Sequence, residues 1–256
     1  MTALITGASS GIGLELARIF ASHRHDVVLV ARTESKLREL ARECEASGVR
    51  AQVIPADLSK AGAAQAIVDG VAALGLEIDV LVNNAGLGRY GPFIDLPPGS
   101  ELEMIQVNVV ALTELTRRFL PAMVARRRGR ILNVASVAAF LPGPLMAVYY
   151  ATKAYVLSFG EAIANELEGT GVTVTTFCPG PVDSGFQAVA KLEDSNLEGK
   201  MLMTSRAAAQ AGYDAAMAGA VVYVPGLPNK LTALTPRFLP RAVMRRLVRR
   251  VQERRS

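Results

Sequence analysis

The chain has 256 residues, of which 50% are hydrophobic and 20% charged, with a mean hydropathy of +0.27. This composition supplies a large core and excludes a disordered protein, and the 22 glycines follow no three-residue period, which excludes collagen. No uncharged apolar run reaches about 18 residues, so the sequence predicts no membrane-spanning helix. The first residues lack a basic flank and a long apolar stretch, so we expect no secretory signal and a cytoplasmic protein.

The net charge of +5 comes from the end of the chain. Residues 237–256 hold eight arginines and one glutamate, a net of +7, so residues 1–236 carry −2. Because the rest of the chain is nearly neutral, the overall charge does not indicate a nucleic-acid partner.

The cysteines and histidines predict no metal site. Cys44 and Cys178 lie far apart, which favours reduced core thiols over a disulfide or a metal framework. His23 and His25 lie near the end of the first predicted helix, and nothing places a third ligand beside them.

Short β-branched runs alternate with longer helical patterns. Strands are predicted at residues 3–6, 27–30, 51–54, 80–82, 130–134, 172–176 and 220–223. Helices are predicted near residues 12–23, 34–47, 60–74, 100–127, 148–168 and 205–218. This alternation is typical of a doubly wound α/β fold, a parallel sheet of about seven strands with helices on both faces.

Two segments interrupt the alternation. Residues 181–204 predict a loop and short polar helices with no strand; because ligands of such sheets bind beyond the carboxyl ends of the strands, we expect a substrate cover there. Residues 225–256 begin with three prolines in twelve positions and then become strongly basic. We expect them to extend the single cofactor-binding and catalytic domain formed by residues 1–224.

The first predicted strand runs directly into a glycine-rich segment and a helix. The segment is Thr6-Gly7-Ala8-Ser9-Ser10-Gly11-Ile12-Gly13. Gly7 allows a tight turn, Gly11 a close approach of backbone to a pyrophosphate, and Gly13 close packing of helix on strand. The helix N-terminus favours an anion, and the hydroxyls of Ser9 and Ser10 can assist, so the segment predicts a dinucleotide site.

The end of the second strand indicates which dinucleotide. Arg32 stands near the position where an acidic residue would bond the ribose hydroxyls of NAD(H). An arginine can accommodate a 2′-phosphate, so the sequence favours NADP(H) over NAD(H). The alternative is that Arg32 is a solvated residue preceding the next helix.

Six motifs carry a resemblance to a known family. They are Thr6-Gly7-x-x-x-Gly11-x-Gly13, Asn83-Asn84-Ala85-Gly86, Asn108, Ser136, Tyr149-x-x-x-Lys153 and Pro179-Gly180-x-Val182-x-Ser184. In order and spacing they resemble the short-chain dehydrogenase/reductase family, from residue 2 to about residue 224. The resemblance implies a Rossmann-type fold, an oxidoreductase that prefers NADP(H), and a homodimer or homotetramer paired through the long helices.

The chemistry of carbonyl reduction points to three of these residues. The alkoxide that forms needs a proton and a hydrogen-bond donor at its oxygen. A lysine four residues after a tyrosine on one helix face is expected to lower the tyrosine pKa, and Tyr149 and Lys153 have this spacing. We therefore predict Tyr149 as general acid/base and Ser136 as the donor to the oxyanion. The alternatives are surface packing for Tyr149 and Lys153 and a helix cap for Ser136.

The resemblance also implies further site residues. Lys153 would bind the nicotinamide ribose, and Asn108 would hold a water in a proton relay, the alternative for Asn108 being a buried amide. Other cofactor contacts would come from Asp57 and Leu58 after the third strand, from Asn84, Ala85 and Gly86 after the fourth, and from Pro179, Gly180, Val182 and Ser184 after the sixth.

These residues predict hydride transfer between NADP(H) and an apolar ketone, aldehyde or secondary alcohol. The substrate cover is expected from residues 87–93, 138–148 and 185–203, which are rich in apolar side chains. Two alternatives stay open: a non-catalytic NADP(H)-binding or membrane-tethered module, and an epimerase or dehydratase on the same scaffold.

The basic tail has a helical period. Its apolar face holds Val243, Met244, Leu247, Val248 and Val251, and its cationic face holds Arg245, Arg246, Arg249 and Arg250. Such a helix can lie on anionic lipid at a membrane surface. Equally, its apolar face can dock on the body of the protein or on a second subunit.

Overall fold

A computed structural model describes residues 1–185 and 203–253. The strands are β1 (Thr2–Thr6), β2 (Asp26–Ala31), β3 (Ala51–Pro55), β4 (Val80–Asn83), β5 (Gly129–Val134), β6 (Val172–Phe177), β7 (Val182–Asp183), β8 (Met203–Thr204) and β9 (Val222–Tyr223). Seven of them form one parallel sheet in the order β3-β2-β1-β4-β5-β6-β9. The order reverses between β1 and β4, and ligands of open α/β sheets bind at such a point.

Helices cover both faces of this sheet. They are α1 (Gly11–Ser22), α2 (Glu34–Glu45), α3 (Ala63–Ala73), α4 (Ser100–Ile105), α5 (Leu112–Ala125), α6 (Ala147–Glu166), α7 (Ser205–Ala218), α8 (Leu227–Leu234) and α9 (Arg241–Gln252). None of those in the described part of the chain is long and apolar enough to cross a membrane.

Strand β1 shows how the sequence builds both layers. All five of its residues are buried, and successive side chains point to opposite faces of the sheet. Ala3 and Ile5 pack in the apolar cluster with α1, α2 and α7, whereas Leu4 packs in the cluster with α3 and α5. The predicted Rossmann-type fold is therefore confirmed.

Two predictions about elements are wrong in detail. The helix expected over residues 100–127 is interrupted by a π-helical turn, Gln106–Ala111, between α4 and α5, and it ends at Ala125. Residues 181–204, expected to lack strands, contain β7 and β8, which pair in parallel. A two-residue strand is too short to show a periodic pattern in the sequence, which explains the second error.

Candidate active site

One cavity of about 940 Å³ runs along the carboxyl ends of the central strands, from the glycine-rich segment to α9. It is lined by Gly7, Ser9, Ser10, Gly11, Ile12, Arg32, Asp57, Leu58, Asn84, Ala85, Gly86, Ser136, Tyr149, Lys153, Pro179, Gly180, Val182 and Ser184. All the predicted site residues are thus in the lining except Gly13 and Asn108.

The glycine-rich segment has the geometry of an anion cradle. Gly7 and Gly11 have φ of +68° and +56°, the left-handed region that favours glycine. A Cβ on Gly13 would overlap the Gly7 carbonyl, so Gly13 serves close packing and not the cavity wall. Within the described residues, the side chain of Ser10 makes no capping hydrogen bond to α1, and the first turn of α1 holds no acidic residue. The backbone N–H groups at the start of α1 can therefore bind a pyrophosphate.

Asn84 joins the two strands between which the sheet order reverses. Its Nδ2 donates to the Thr6 carbonyl at 2.8 Å, and its backbone N–H donates to Thr6 Oγ1 at 3.0 Å. Thr6 Oγ1 in turn donates to the Val82 carbonyl at 3.1 Å. These contacts hold the floor of the cavity together next to the glycine-rich segment.

Two cationic side chains line the cavity after β2. Arg32 and Lys36 both line it, four residues apart at the start of α2. Asp57 accepts hydrogen bonds from the backbone N–H and Oγ of Ser59 at 3.1 and 2.8 Å. Burial raises the pKa of Asp57, but these bonds and the charges of Arg32 and Lys60 hold it below its usual value overall. Lys36 was missed in the sequence, although its place in the first turn of the helix that follows Arg32 was a usable signal.

Ser136 and Tyr149 contact each other at the centre of the cavity. Ser136 Oγ accepts from the Ala138 N–H at 3.1 Å and so caps the short 3₁₀ helix Val137–Phe140, as one alternative proposed. Ser136 also hydrogen-bonds the side chain of Tyr149. Burial raises the pKa of Tyr149 strongly, the bond from Ser136 lowers it, and burial prevails.

Lys153 lies on the same helix as Tyr149, with its ammonium directed elsewhere. Its Nζ donates to the Val134 carbonyl at 2.8 Å and is 5.8 Å from the centre of the Tyr149 ring. Burial lowers the pKa of Lys153 to about 8. The expectation that Lys153 lowers the Tyr149 pKa therefore needs correction, because among the chain's own groups burial determines the direction of the Tyr149 shift.

Asn108 lies behind the cavity wall, in the π-helical turn. Its Nδ2 donates to the Leu87 carbonyl at 2.9 Å and to Thr152 Oγ1 at 3.0 Å, and its Oδ1 accepts from the Leu87 N–H at 2.8 Å. The side chain therefore has the buried-amide role that was the alternative, and it positions the chain after Gly86 instead of facing the cavity. A Cβ on Gly86 would lie 3.5 Å from Asn108 Oδ1 and 3.4 Å from Lys153 Nζ.

The expected substrate cover is only partly in the cavity wall. From residues 87–93 the wall includes Leu87, whereas Phe93 is 60% exposed and outside it. From residues 138–148 it includes Ala138, Leu141 and Met146. The third stretch contributes Gly185, and residues 186–202 lie outside the described part of the chain.

Helix α9 supplies a wall that the sequence did not predict. Met244, Leu247, Val248 and Val251 line the cavity together with Gln252. Met244 and Val248 are only 3% and 7% exposed, so the apolar face of the tail docks on the body of the protein. The amphipathic pattern marked this face, but a sequence pattern does not tell what the face packs against.

Comparison with known proteins agrees with this geometry. The family model described as short chain dehydrogenase matches residues 1–222. A short chain dehydrogenase of Pseudocercospora fijiensis is 41% identical over 73% of this chain and 61% of its own. A very-long-chain 3-oxoacyl-CoA reductase of Anas platyrhynchos is 37% identical over 74% of this chain and 62% of its own. The chain thus spans about three fifths of the length of these curated relatives.

Solved structures resemble nearly the whole chain. A 7β-hydroxysteroid dehydrogenase has a TM-score of 0.86 at 28% identity, covering 96% of each chain. A short-chain dehydrogenase from Sphingobium yanoikuyae in complex with NADPH has a TM-score of 0.83 at 30% identity, covering 98% of each chain. A 3-oxoacyl-[acyl-carrier protein] reductase from Brucella melitensis with bound NAD has a TM-score of 0.75 at 25% identity, covering 88% of this chain and 90% of its own. Proteins similar to this chain therefore bind either dinucleotide.

Proposed function

This chain belongs to the short chain dehydrogenase family, and we propose that it transfers a hydride between NADP(H) and an apolar ketone, aldehyde or secondary alcohol. The observation that carries the proposal is the meeting of Ser136, Tyr149 and Lys153 in the same cavity as the glycine-rich segment. A module that only bound the dinucleotide would not need these three side chains together.

The chain's own groups suit the proton chemistry. Bound NADPH would supply the hydride to the carbonyl carbon. Ser136 donates to the developing oxyanion, and Tyr149 gives it a proton in reduction or removes the proton in oxidation. Tyr149 is protonated at neutral pH; burial raises its pKa, and the hydrogen bond with Ser136, which favours proton release, opposes that rise. Lys153 places an ammonium beside the same wall, where it can bind ribose hydroxyls.

The preference for NADP(H) is supported by Arg32 and Lys36. Both cations line the cavity at the end of β2, where the 2′-phosphate of an adenosine ribose would lie. Two positive side chains stabilise a phosphate through charge-assisted hydrogen bonds, which NAD(H) cannot make at that position.

The substrate class follows from the side of the cavity beyond Tyr149. Its lining there includes Leu141, Met146 and the apolar side chains of α9. Such a wall stabilises hydrocarbon by burying it, and these described residues include no cationic anchor for an anionic substrate. The name of one structural neighbour, a 7β-hydroxysteroid dehydrogenase, agrees with a large apolar substrate. The very-long-chain 3-oxoacyl-CoA reductase acts by name on a long hydrocarbon chain that is carried on an anionic thioester.

We further propose a homodimer or homotetramer, and contact of the 237–256 tail with an anionic membrane surface. The described arginines on the outer face of α9 are exposed, as lipid contact requires.

Replacing Tyr149 by phenylalanine tests the proposed reaction. Consumption of NADPH with a panel of apolar ketones should fall about 10²- to 10⁴-fold, because the general acid is lost, while NADPH binding persists. Tyr155→Phe is the matched control, since Tyr155 lies on the same helix, is 38% exposed and does not line the cavity. Undiminished turnover by Tyr149→Phe would contradict the mechanism, and a product other than the alcohol would favour an epimerase or dehydratase.

A further inference from the structure

Helix α9 turns its apolar face toward the catalytic side chains. Met244, Leu247, Val248 and Val251 recur at three- and four-residue intervals, which places them on one side of the helix. They line the same cavity as Ser136 and Tyr149; Met244 and Val248 are buried, Leu247 is 44% exposed, and Val243, at the edge of the same face, is 45% exposed and outside the cavity wall. The inner face of α9 is therefore part of the wall where a substrate would lie.

The end of α9 is attached next to the catalytic tyrosine. Gln252, 1% exposed, donates from Nε2 to the hydroxyl of Tyr150, the residue that follows Tyr149. Tyr90 donates from its hydroxyl to the Gln252 carbonyl. The rings of Tyr149 and Tyr150 are 6.0 Å apart and nearly perpendicular. Tyr90, Tyr149 and Tyr150 all pack around Met146, so one small cluster holds both the helix end and the catalytic ring.

A second contact joins the other parts of the cover. The Gly91 N–H donates to the Leu145 carbonyl at 2.9 Å, linking the loop after β4 to the loop before α6. Leu145 has φ of +67°, a costly conformation for a leucine, and it immediately precedes Met146. This hydrogen bond fixes the loop that carries Met146, and Met146 lines the same cavity as α9.

We propose that α9 forms a substrate subsite, in which its apolar side chains bind the hydrocarbon part of the substrate distant from the carbonyl. Gln252 is the positioning residue that fixes α9 through Tyr150 and Tyr90. The inference rests on the proposed function, since it places the carbonyl at Tyr149. It assigns substrate size discrimination to the tail of the chain.

Changing the size of Val248 tests the subsite in the full-length protein. In Val248→Ala we expect KM for 2-decanone to rise about three- to ten-fold, because buried methyl groups are lost, and KM for 2-butanone to rise much less, because the shorter chain makes fewer contacts there. In Val248→Phe the larger ring fills the subsite. The kcat/KM for 2-decanone should therefore fall at least about ten-fold, whereas the kcat/KM for 2-butanone should change much less. Val243→Ala and Val243→Phe are matched controls, because Val243 is a half-exposed valine of the same helix outside the cavity wall, and they should behave as the unaltered protein.

A binding measurement separates this subsite from the proposed reaction. Calorimetry of 2-decanone with the NADP⁺-saturated protein should show weaker binding in both Val248 variants and ordinary binding in Tyr149→Phe, which fails only in turnover. A protein that binds 2-decanone through Val248 but reduces no ketone would overturn the proposed function and leave the subsite standing. Equal effects of Val248 and Val243 substitutions, or equal losses for short and long ketones, would overturn the subsite.

The role of Gln252 is tested by a double-mutant cycle. Gln252→Leu and Tyr150→Phe should each raise KM for 2-decanone several-fold and change kcat for 2-butanone much less, because each breaks the same attachment of α9. The double variant should be no worse than either single variant, since residues that share one contact do not act additively. Additive losses, or an equal loss of kcat with both ketones, would contradict the positioning role.

Discussion

Arg32 and Lys36 are two side chains whose charge should decide which dinucleotide binds. Both line the cavity at the start of α2. Replacing either by alanine removes a charge-assisted hydrogen bond to a 2′-phosphate, so we expect the Kd for NADPH to rise about 10- to 100-fold and that for NADH to stay constant. Parallel fluorescence titrations measure both constants. Arg38→Ala, an exposed arginine on the same helix and outside the cavity wall, is the control. Equal weakening of NADPH and NADH would refute the 2′-phosphate site.

Lys153 should make cofactor binding depend on pH in the range just above neutrality. Burial lowers the pKa of Lys153 to about 8, so its ammonium is present below that pH and is lost as the pH rises through it. We expect NADPH affinity to fall between pH 7 and 9 as the charge disappears. In Lys153→Met the affinity should be lower and nearly constant over the same range. A titration at several pH values checks this, and an identical pH profile in both proteins would contradict it.

The residues that we propose carry the chemistry could be predicted because they follow local spacing. Tyr149 and Lys153 are four residues apart on one helix, and Ser136 follows a strand whose carboxyl end must lie at the cavity. Gln252 could not be predicted, because its partners Tyr150 and Tyr90 are 102 and 162 residues away in the chain. The direction in which the pKa of Tyr149 shifts could not be predicted either, because it depends on burial and not on the lysine four residues later.

The π-helical turn between α4 and α5 positions the loop that follows β4. It carries Asn108, whose amide satisfies both backbone groups of Leu87. Asn108→Ala leaves these part-buried groups without their partners, so we expect the free energy of unfolding to fall by about 1 to 3 kcal/mol, measured by urea denaturation. Asn165→Ala, in which an amide is lost from an exposed site on α6, should cost less than about 0.5 kcal/mol. Equal stabilities of the two variants would count against this role.

The helices and long strands were predictable, and the elements built from tertiary contacts were not. The apolar runs of β1 and β4 indicate strands buried on both faces, as they are. The strands β7 and β8 have two residues each, and the π-helical turn keeps the same apolar period as its neighbours. These features depend on which chain segments meet, and the periodicity of one segment does not contain that information.

At the scale of the whole molecule, positive charge and exposed apolar surface lie together near the end of the chain. On α8, Leu227 and Leu231 are 69% and 59% exposed, whereas Asn229 and Thr232 line the cavity, so the apolar face points outward. Arginines occupy the outer face of α9. Because the inner face of α9 is docked, lipid contact would use these outer faces, a different surface from the one that the sequence pattern suggested.

Vesicle sedimentation tests this membrane contact. We expect the protein to sediment with phosphatidylglycerol vesicles at low salt and much less with phosphatidylcholine vesicles, since anionic lipid attracts each arginine by about 1 kcal/mol. Exchanging Arg245 and Arg246 for glutamine should weaken binding by about ten-fold or more. The same exchange at Arg38 and Arg42, which are exposed on α2, should have a smaller effect. Equal weakening of vesicle binding by the two pairs of exchanges would rule out a specific lipid-binding face on α9.

The most direct test of the central claim follows the hydride itself. NADPH carrying deuterium at the transferable C4 position is incubated with 2-decanone and the full-length protein, and the alcohol is analysed by mass spectrometry. Hydride transfer with Tyr149 as the acid predicts one deuterium at the carbinol carbon, and labelled alcohol formed about 10²- to 10⁴-fold more slowly with Tyr149→Phe. An unlabelled product, or labelled alcohol formed at an undiminished rate by this variant, would contradict the account.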